Sequence, residues 1–311
     1  GRARWGARRG GGCRARARLD GEGRGGGRLQ INLQLRIRKE HAEFDWTGTC
    51  DQAVGGVNAN PGIALAASVY SLRCLCPGRL PTNDGLFRVL SLRTRPGSLV
   101  NPRAPAPVAG GNVETSQRLV DVCLAALAPA APERVPAASA GTMSNLTFGG
   151  TTSDGQEFAS YETLPGGAGA SAVGGGQAAI QTHMTNTRNT PIEELEQRAP
   201  LRIRALSVRR SSGGGGRHRG GDGLRKEVAV LQPPRGAVLG ERPAAADHSA
   251  SSCGGPSSSP APRFRRTLVR GNISPSFRTA IVRTRTCCGS MGTLSTPRST
   301  RRRPGRSTPP G

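Results

Sequence analysis

A ten-residue alternation of apolar and polar side chains constrains the fold of this chain more than any other stretch. Leu or Ile occupies every odd position from 29 to 37, and Gln, Asn or Arg occupies every even position from 30 to 38. A period of two held over this length predicts a strand with one buried and one solvated face, as in antiparallel sheets. Ala42, Phe44 and Trp46 repeat the alternation after a turn, so a strand hairpin is predicted.

Helices with recognisable first residues follow the hairpin. Asn60 is suited to cap a helix that has Pro61 at its first position and runs to about residue 75. Asn112 is suited to cap a second helix, which begins at Val113 and ends before residue 129. A capping box that begins at Thr190 predicts a third helix over 191–198. Further strands are predicted at 87–92, 98–100, 157–164, 201–207 and 228–231. The predicted fold class is α+β, with mixed, mainly antiparallel sheets and packed helices.

The positive charge of the chain is concentrated at its two ends. The 311 residues carry a net charge of +24 at pH 7, with nine Arg in residues 1–30 and twelve Arg, without any acidic residue, in 251–311. These ends have few large apolar side chains and cannot bury enough surface to offset the entropy of ordering. We therefore expect disordered Arg-rich segments at 1–28 and 243–311 around one domain at 29–242. The last segment also resembles GC-rich DNA read out of frame, and residues 1–18 share that character.

A charge of this size is typical of nucleic-acid-binding proteins, so an Arg/Gly-rich nucleic-acid binder is the alternative from a different functional class. Two observations disfavour it. All but two of the 44 basic residues are Arg, although Lys would serve a phosphate contact equally well, and GC-rich coding explains that skew. Aromatic residues, which stack on single strands, make up only 3% of the chain. We predict no nucleic-acid partner.

The cysteines and the hydropathy exclude further classes. Eight cysteines are too few and too irregularly spaced for a disulfide scaffold or a zinc site in a chain of this length. Cys123 lies in an apolar helical run and is expected to be a small buried hydrophobic residue. A reducing, cytoplasmic location fits this cysteine usage. No apolar run approaches the roughly 20 residues that span a bilayer, so no membrane partner is expected.

Two glycine-flanked polar blocks, one on each side of the second predicted helix, are the candidate binding loops. Gly110 and Gly111 stand at the start of that helix, where free backbone amides and the helix dipole favour an anionic or polar ligand. Glu114 follows in the same block and is a candidate general base. The candidate substrate-binding side chains of the two blocks are Asn112, Asn145 and Thr147, each of which can hydrogen-bond a small polar molecule.

The stretch before the third predicted helix supplies a second candidate base. His183 stands among Thr and Asn side chains, including Asn186, which favours a site role, although a lone histidine is commonly a hydrogen-bonded structural residue. Asp222, in a tight turn at 219–223, is a candidate orienting carboxylate. The Gly-rich run at 166–176 is predicted to be either a mobile loop over the site or a loose connector.

Several short blocks occur in a defined order along the chain. They are Gly-Val-Asn-Ala at 56–59, Ala-Gly-Gly-Asn-Val-Glu-Thr-Ser-Gln-Arg at 109–118, Gly-Thr-Met at 141–143, Asn-Leu-Thr-Phe-Gly-Gly at 145–150, His-Met-Thr-Asn-Thr at 183–187 and Arg-Gly-Gly-Asp-Gly at 219–223. On these blocks the chain resembles the hydantoinase B/5-oxoprolinase family from about Leu19 to Arg242, in the later portion of its B-type subunit. We find no continuation of the family pattern after Arg242.

This resemblance implies ATP-dependent opening of a cyclic amide, either 5-oxoproline, which belongs to glutathione metabolism, or a hydantoin. It also implies a hydantoinase A-type ATPase partner that binds ATP, and hence a hetero-oligomer. A divalent metal is implied too, with ligands in an amino-terminal half that this chain lacks, so the chain alone is expected to be a fragment of the enzyme. An acetone carboxylase-like subunit is the alternative within the same superfamily.

Overall fold

The computed structural model describes residues 12–19, 27–76, 78, 81, 83–231, 235–239 and 279–283, the last two ranges by their backbone. The helices are Pro61–Leu75 (α1), Gly85–Arg88 (α2), Ser116–Leu127 (α3) and Ile192–Arg198 (α4), and a π-helical turn, Gly111–Thr115, leads into α3. The strands are Cys13–Leu19 (β1), Leu29–Arg38 (β2), His41–Asp45 (β3), Leu90–Arg93 (β4), Asn145–Thr151 (β5), Glu157–Thr163 (β6), Gly166–Gly167 (β7), Ala178–Ile180 (β8), Leu201–Arg209 (β9), Gly223–Val230 (β10), Arg235–Leu239 (β11) and Thr279–Arg283 (β12).

These strands form small sheets, ordered β1-β2-β3-β4, β11-β5-β6, β12-β10-β9 and β7-β8. Every strand pair is antiparallel except β3 with β4, which is parallel. The predicted α+β class with mainly antiparallel sheets is confirmed. The hairpin predicted from the alternation is β2 and β3, with Leu35 opposite Phe44.

β1 corrects the prediction that residues 1–28 are disordered. It pairs with β2 along its whole length, from Cys13 opposite Leu35 to Leu19 opposite Leu29. Its alternate residues Cys13, Ala15 and Ala17 are half-buried and Leu19 is fully buried, while the arginines between them are exposed. The period of two was present in the sequence, but alanines made its apolar face too weak to recognise. β12 likewise lies inside the segment predicted to be a disordered tail; the other residues of both segments, apart from 12, 27 and 28, lie outside the described residues.

The first core lies between the β1–β4 sheet and the helices α1 and α3. Ile31, Leu33 and Phe44 from the sheet pack with Leu119 and Leu127 of α3. α1 begins as predicted, since the Asn60 side chain accepts a hydrogen bond from the Ile63 amide at 3.1 Å. Cys123 is fully buried, as predicted, and burial raises the pKa of its thiol to about 12.

The entry into α3 differs from the prediction that Asn112 caps it. Asn112 lies inside the π-helical turn and is exposed, and Gly110 occupies the capping position without a side-chain bond. The two glycines allow close backbone packing, because a Cβ at Gly111 would stand 1.9 Å from the Asn58 carbonyl oxygen. Single-turn π segments leave no propensity signal in a sequence, and they are frequent at functional sites.

Other local predictions are partly right. The stretch predicted as one strand at 87–92 divides into α2 and β4, and at 98–100 only isolated bridges involving Ser98 form. α4 and β9 lie where they were predicted, but Pro191 caps α4 without a side-chain bond, so the capping box from Thr190 does not form. The Thr190 amide instead donates to Glu162 Oε1 at 3.1 Å.

A second core joins the β11-β5-β6 sheet to β9, β10 and α4. Its buried members are Leu146, Phe148, Leu164, Leu195, Ala199, Leu201, Leu224 and Val228. Asn145 and Thr147 alternate with Leu146 and Phe148 on β5, so their side chains lie on the face of the strand opposite to this core. Asn145 on that face bonds Glu114, which belongs to the candidate site.

Backbone hydrogen bonds hold the Gly-rich run at 166–176 to neighbouring segments. It therefore differs from both predicted forms, the mobile loop and the loose connector. The Ala168 amide donates to the Gln177 carbonyl at 2.9 Å, and the Gly176 amide donates to the Arg219 carbonyl at 2.9 Å. A Cβ on Gly169 would stand 1.7 Å from the Ala137 carbonyl oxygen. The glycines therefore permit backbone-to-backbone packing that any side chain would prevent.

Candidate functional site

The candidate site is a polar face that begins in the π-helical turn and continues along α3. We call it the polar face of α3; its members are Glu114 in the turn and Gln117, Arg118 and Asp121 in the helix. Their relative exposures are 0%, 1%, 2% and 9%. The spacing of three, one and three residues places all four on one side of a helical segment. Charged groups are costly to bury unless bonded, so a buried helix face with three of them requires a specific set of partners.

At the amino-terminal end of the face, Glu114 is joined to the β5-β6 hairpin. Asn145 Nδ2 donates to Glu114 Oε1 at 3.0 Å, and the Tyr161 hydroxyl donates to Asn145 Oδ1. Tyr161 is 56% exposed, so this chain of bonds leads from the buried carboxylate to the surface. Burial and then the nearby charge of Glu114 raise the pKa of Tyr161. Thr147, exposed on the same strand face, lies opposite Tyr161 in the ladder.

One turn further along α3, Gln117 holds the segment that carries His183. Gln117 Nε2 donates to the Thr182 carbonyl oxygen at 3.0 Å. His183 has φ of 59°, in the left-handed region that a β-carbon disfavours, so its backbone is held by its surroundings. Its Nδ1 lies 3.4 Å from the Tyr70 hydroxyl of α1, and the two rings meet edge to face with centroids 5.8 Å apart.

Burial keeps the His183 imidazole neutral near pH 7. Burial lowers the pKa of His183 below its ordinary value of 6.5, and the charge of Asp121 opposes this shift only in part. Burial and the neighbouring Cys74 raise the pKa of Tyr70, so its hydroxyl stays protonated. A neutral imidazole beside a protonated phenol can donate one hydrogen bond and accept another while both groups stay uncharged.

Gln117 Oε1, which can only accept, has no hydrogen-bond partner among the described residues, and neither has His183 Nε2. Each such atom costs about 1–3 kcal/mol compared with a bonded one. Buried polar atoms in folded proteins are nearly always bonded to protein, ordered water or a ligand, so these two atoms have bonding capacity for a water molecule or a ligand.

The structure brings some predicted site residues together and separates others. Glu114 and Asn145 are hydrogen-bonded, Thr147 shares their strand face, and His183 lies along the same side of α3. The amides of Gly110 and Gly111, predicted to be free, donate to the carbonyls of Gly56 and Val108 at 2.6 and 3.0 Å, so that prediction is wrong. Asn112 and Asn186 are exposed side chains.

Asp222 holds a loop of its own. Its carboxylate accepts from the Ser211 and Gly213 amides at 3.1 and 2.8 Å and from Arg219 at 3.2 Å. Partial burial acts to raise its pKa, but the backbone bonds and the Arg219 charge outweigh burial, so the pKa of Asp222 is lowered. Among the described residues no hydrogen bond or ion pair joins the Asp222 side chain to Glu114 or His183. The orienting role of Asp222 stays a prediction.

Five members of the cluster were not identified from the sequence. They are Tyr70, Gln117, Arg118, Asp121 and Tyr161. For the three on α3 a signal existed, because polar residues at 114, 117, 118 and 121 mark one face of the predicted helix. For the two tyrosines none existed, because their role depends on contacts between segments that are distant in sequence.

The described residues contain no group of three or more His, Cys, Asp or Glu side chains arranged to hold a metal ion. They therefore do not form the divalent-metal site that the resemblance implies. The described helices also include none that is long and apolar enough to cross a membrane. An open surface cavity of about 500 Å³ lies at Gln52 to Val54 and Arg103 to Pro107, and no predicted site residue lines it.

An α+β scaffold with a buried, partly unsatisfied polar helix face is typical of an enzyme or a small-molecule-binding protein. Comparison with known proteins narrows this class. A model of the family described as Hydantoinase B/oxoprolinase matches residues 5–287, so the chain belongs to this family and the resemblance is confirmed. The match begins before Leu19 and continues past Arg242, so the predicted limits of the family pattern are wrong. The division into a 29–242 domain and two flanking segments stays a prediction.

Individual relatives agree with this assignment. The 5-oxoprolinase 1 of Arabidopsis thaliana is 42% identical over 204 residues, which are 66% of this chain and 15% of that protein. A crystal structure of the ATP-dependent caprolactamase from Pseudomonas jessenii has a TM-score of 0.65 at 28% identity, covering 73% of this chain and 40% of that one. A nucleotide-free acetone carboxylase also has a TM-score of 0.65, at 20% identity over 74% of this chain and 33% of that one, which shows a shared fold.

Proposed function

We propose that this chain forms the substrate-side wall of an ATP-dependent cyclic amide hydrolase that opens 5-oxoproline or a hydantoin. The observation that carries the proposal is the buried polar face of α3, with unpartnered Gln117 Oε1 on it and unpartnered His183 Nε2 beside it, in a member of the hydantoinase B/oxoprolinase family. The relatives with known names support the reaction class, since one is a 5-oxoprolinase and another an ATP-dependent caprolactamase. The cytoplasm and glutathione metabolism are the proposed setting.

The two unpartnered atoms suit a cyclic amide. A ring forces its amide to be cis, so the N–H donor and the carbonyl acceptor lie side by side on one edge. The Tyr70 hydroxyl donates to His183 Nδ1 in this proposal, which leaves the imidazole proton on Nε2 as a donor. Gln117 Oε1 then accepts from the ring N–H, and His183 Nε2 donates to the ring carbonyl.

An unstrained amide is a poor electrophile, so phosphorylation of its oxygen by ATP supplies a leaving group. An A-type ATPase partner, in a hetero-oligomer with this chain, provides that step in our proposal. Water must then attack the activated carbon and lose a proton, after which the carbon–nitrogen bond of the ring breaks, the nitrogen takes up a proton and inorganic phosphate leaves. Glu114 is the proposed base, because it is a buried carboxylate whose bond to Asn145 orients it.

The test is ATP-dependent ring opening by this chain combined with an A-type ATPase subunit. Glu114→Gln and His183→Phe are each expected to lower turnover at least about tenfold, as loss of a transition-state contact does. His41→Gln is the matched control, because His41 is an exposed histidine that bonds only Ser91 at 3.0 Å among the described residues. Unchanged turnover in both site variants would reject the site.

The acetone carboxylase-like alternative is tested in the same mixture. Our proposal predicts ATP hydrolysis that depends on 5-oxoproline or hydantoin. ATP hydrolysis that depends instead on acetone and bicarbonate would replace the hydrolase with a carboxylase, without changing the family assignment.

A further inference from the structure

We infer that the buried ion pair Glu162–Lys226 is a positioning clamp for the 181–190 segment, which carries His183. The inference rests on the proposed function for the role of His183, but the clamp itself is defined by contacts in this chain. Glu162 and Lys226 belong to β6 and β10, and neither has been assigned a part in the reaction above.

The pair is placed where a charge is hardest to accommodate. The side chains of Lys226 and Glu162 are 2% and 5% exposed, and Lys226 Nζ donates to Glu162 Oε2. Lys226 is one of only two lysines in a chain with 44 basic residues, all the others being Arg. An ammonium is a compact point charge that bonds one carboxylate oxygen, whereas a guanidinium fork tends to engage both.

The free oxygen of Glu162 is used to hold the carboxyl-terminal end of the segment. Glu162 Oε1 accepts from the Thr190 amide at 3.1 Å. The next residue on β6, Thr163, adds two further bonds: its carbonyl accepts from Asn189 Nδ2 and its hydroxyl from Gln181 Nε2, both at 3.0 Å. Two consecutive residues of one strand therefore hold both ends of the segment.

These bonds to β6 at both ends of the 181–190 segment explain how His183 keeps its unfavourable backbone conformation. Gln181 and Asn189 are fixed on β6, and between them Gln117 bonds the Thr182 carbonyl and Tyr70 contacts the imidazole. Tyr161, the residue before Glu162, is bonded to Asn145 and so to the Glu114 carboxylate. β6 thus sets the position of both proposed reactive groups relative to each other, and Glu162 is a positioning residue.

The test compares two double variants that both remove the buried charges. In Glu162→Gln/Lys226→Met an amide oxygen can still accept from the Thr190 amide, whereas in Glu162→Leu/Lys226→Met no acceptor remains. Amide hydrogen exchange of residues 181–190 and NMR titration of His183 are measured on the chain without substrate. Arg225→Met is the control, because it removes a partly exposed ion pair with Glu227 one residue away from Lys226 on β10.

We expect the Leu/Met variant to exchange the Thr190 amide at least about tenfold faster than the Gln/Met variant, with the His183 pKa rising towards 6.5. The Gln/Met variant and the Arg225→Met control should match the wild type in both measurements. Wild-type exchange and titration in the Leu/Met variant would overturn the clamp. Because no substrate is involved, the result stands even if the ring-opening proposal fails.

Discussion

The polar face of α3 and the Glu162–Lys226 pair are both buried and charged, but they differ in how completely their atoms are bonded. Both carboxylate oxygens of Glu162 have partners, one the Lys226 ammonium and the other the Thr190 amide. Gln117 Oε1 on the α3 face and His183 Nε2 beside it have none among the described residues. A satisfied pair serves to hold structure, whereas unsatisfied atoms retain bonding capacity for a ligand.

The largest effect should come from breaking the satisfied pair. Lys226→Met leaves the Glu162 carboxylate buried without its cation, which typically costs about 3–5 kcal/mol. We expect the free energy of unfolding in urea to fall by that amount. A loss below about 1 kcal/mol would show that Glu162 is solvated or bonded differently and would remove the contrast between the two regions.

At Glu114 we expect a substitution to change turnover and leave stability nearly unchanged. In free energy this effect is smaller than that of Lys226→Met. Glu114→Gln keeps the shape of the side chain and its acceptor for Asn145 but removes the proposed base. We expect turnover to fall at least about tenfold, or 1.4 kcal/mol, while the free energy of unfolding changes by less than about 1 kcal/mol. A variant that loses stability and keeps its turnover per folded molecule would instead make Glu114 structural.

Replacing an unsatisfied atom should leave stability nearly unchanged. His183→Phe keeps an aromatic ring against Tyr70 and removes the unpartnered Nε2, which offsets the loss of the Nδ1 contact with the Tyr70 hydroxyl, so we expect Tm to change by no more than a few degrees. Turnover should fall in the same protein, which is the trade-off typical of active-site residues. A clear drop in Tm would indicate that Nε2 has a structural partner.

The pH dependence of stability provides a further test of His183. Its pKa is lowered in the folded state, so the unfolded chain binds more protons below pH 6.5. This group therefore contributes stability that is present above pH 6.5 and is lost as the pH falls from 6.5 towards the folded pKa. We expect the Tm of the wild type to drop over this window by more than the Tm of His183→Phe. Parallel curves would contradict this and show that the pKa of His183 is the same in the folded and the unfolded chain.

The smallest effect on turnover is expected at Asp222. Asp222→Asn weakens the bonds that close the 211–222 loop, which should lower the free energy of unfolding by about 1–2 kcal/mol. Turnover per folded molecule should change less than about twofold. A fall in turnover as large as that of Glu114→Gln would support the catalytic role predicted for Asp222 from the sequence.

Much of the fold could be predicted from local patterns, and the site only in part. The alternation at 29–38 and the Asn60-Pro61 signal each act within one element, so β2 and α1 were placed correctly. β1 was missed because alanine contributes little apolar contrast, although β2 supplies a full partner for it. For the site, Glu114 and Asn145 were chosen from residue type and neighbouring glycines, and His183 from its Thr and Asn neighbours. The contacts that relate them come from α1, α3, β5 and β6.

The sequence by itself determined the family, the α+β class and the polar residues that occur at helical spacing on α3. These depend on residue identity and short-range periodicity, which are readable along the chain. Only the tertiary structure decided that the Gly110 and Gly111 amides are engaged, that Asp222 closes its own loop and that Glu162 holds the segment of His183. Each of these depends on which backbone atom a distant segment brings within hydrogen-bonding distance. A polar group is available to bind a ligand only if such contacts have not already satisfied it.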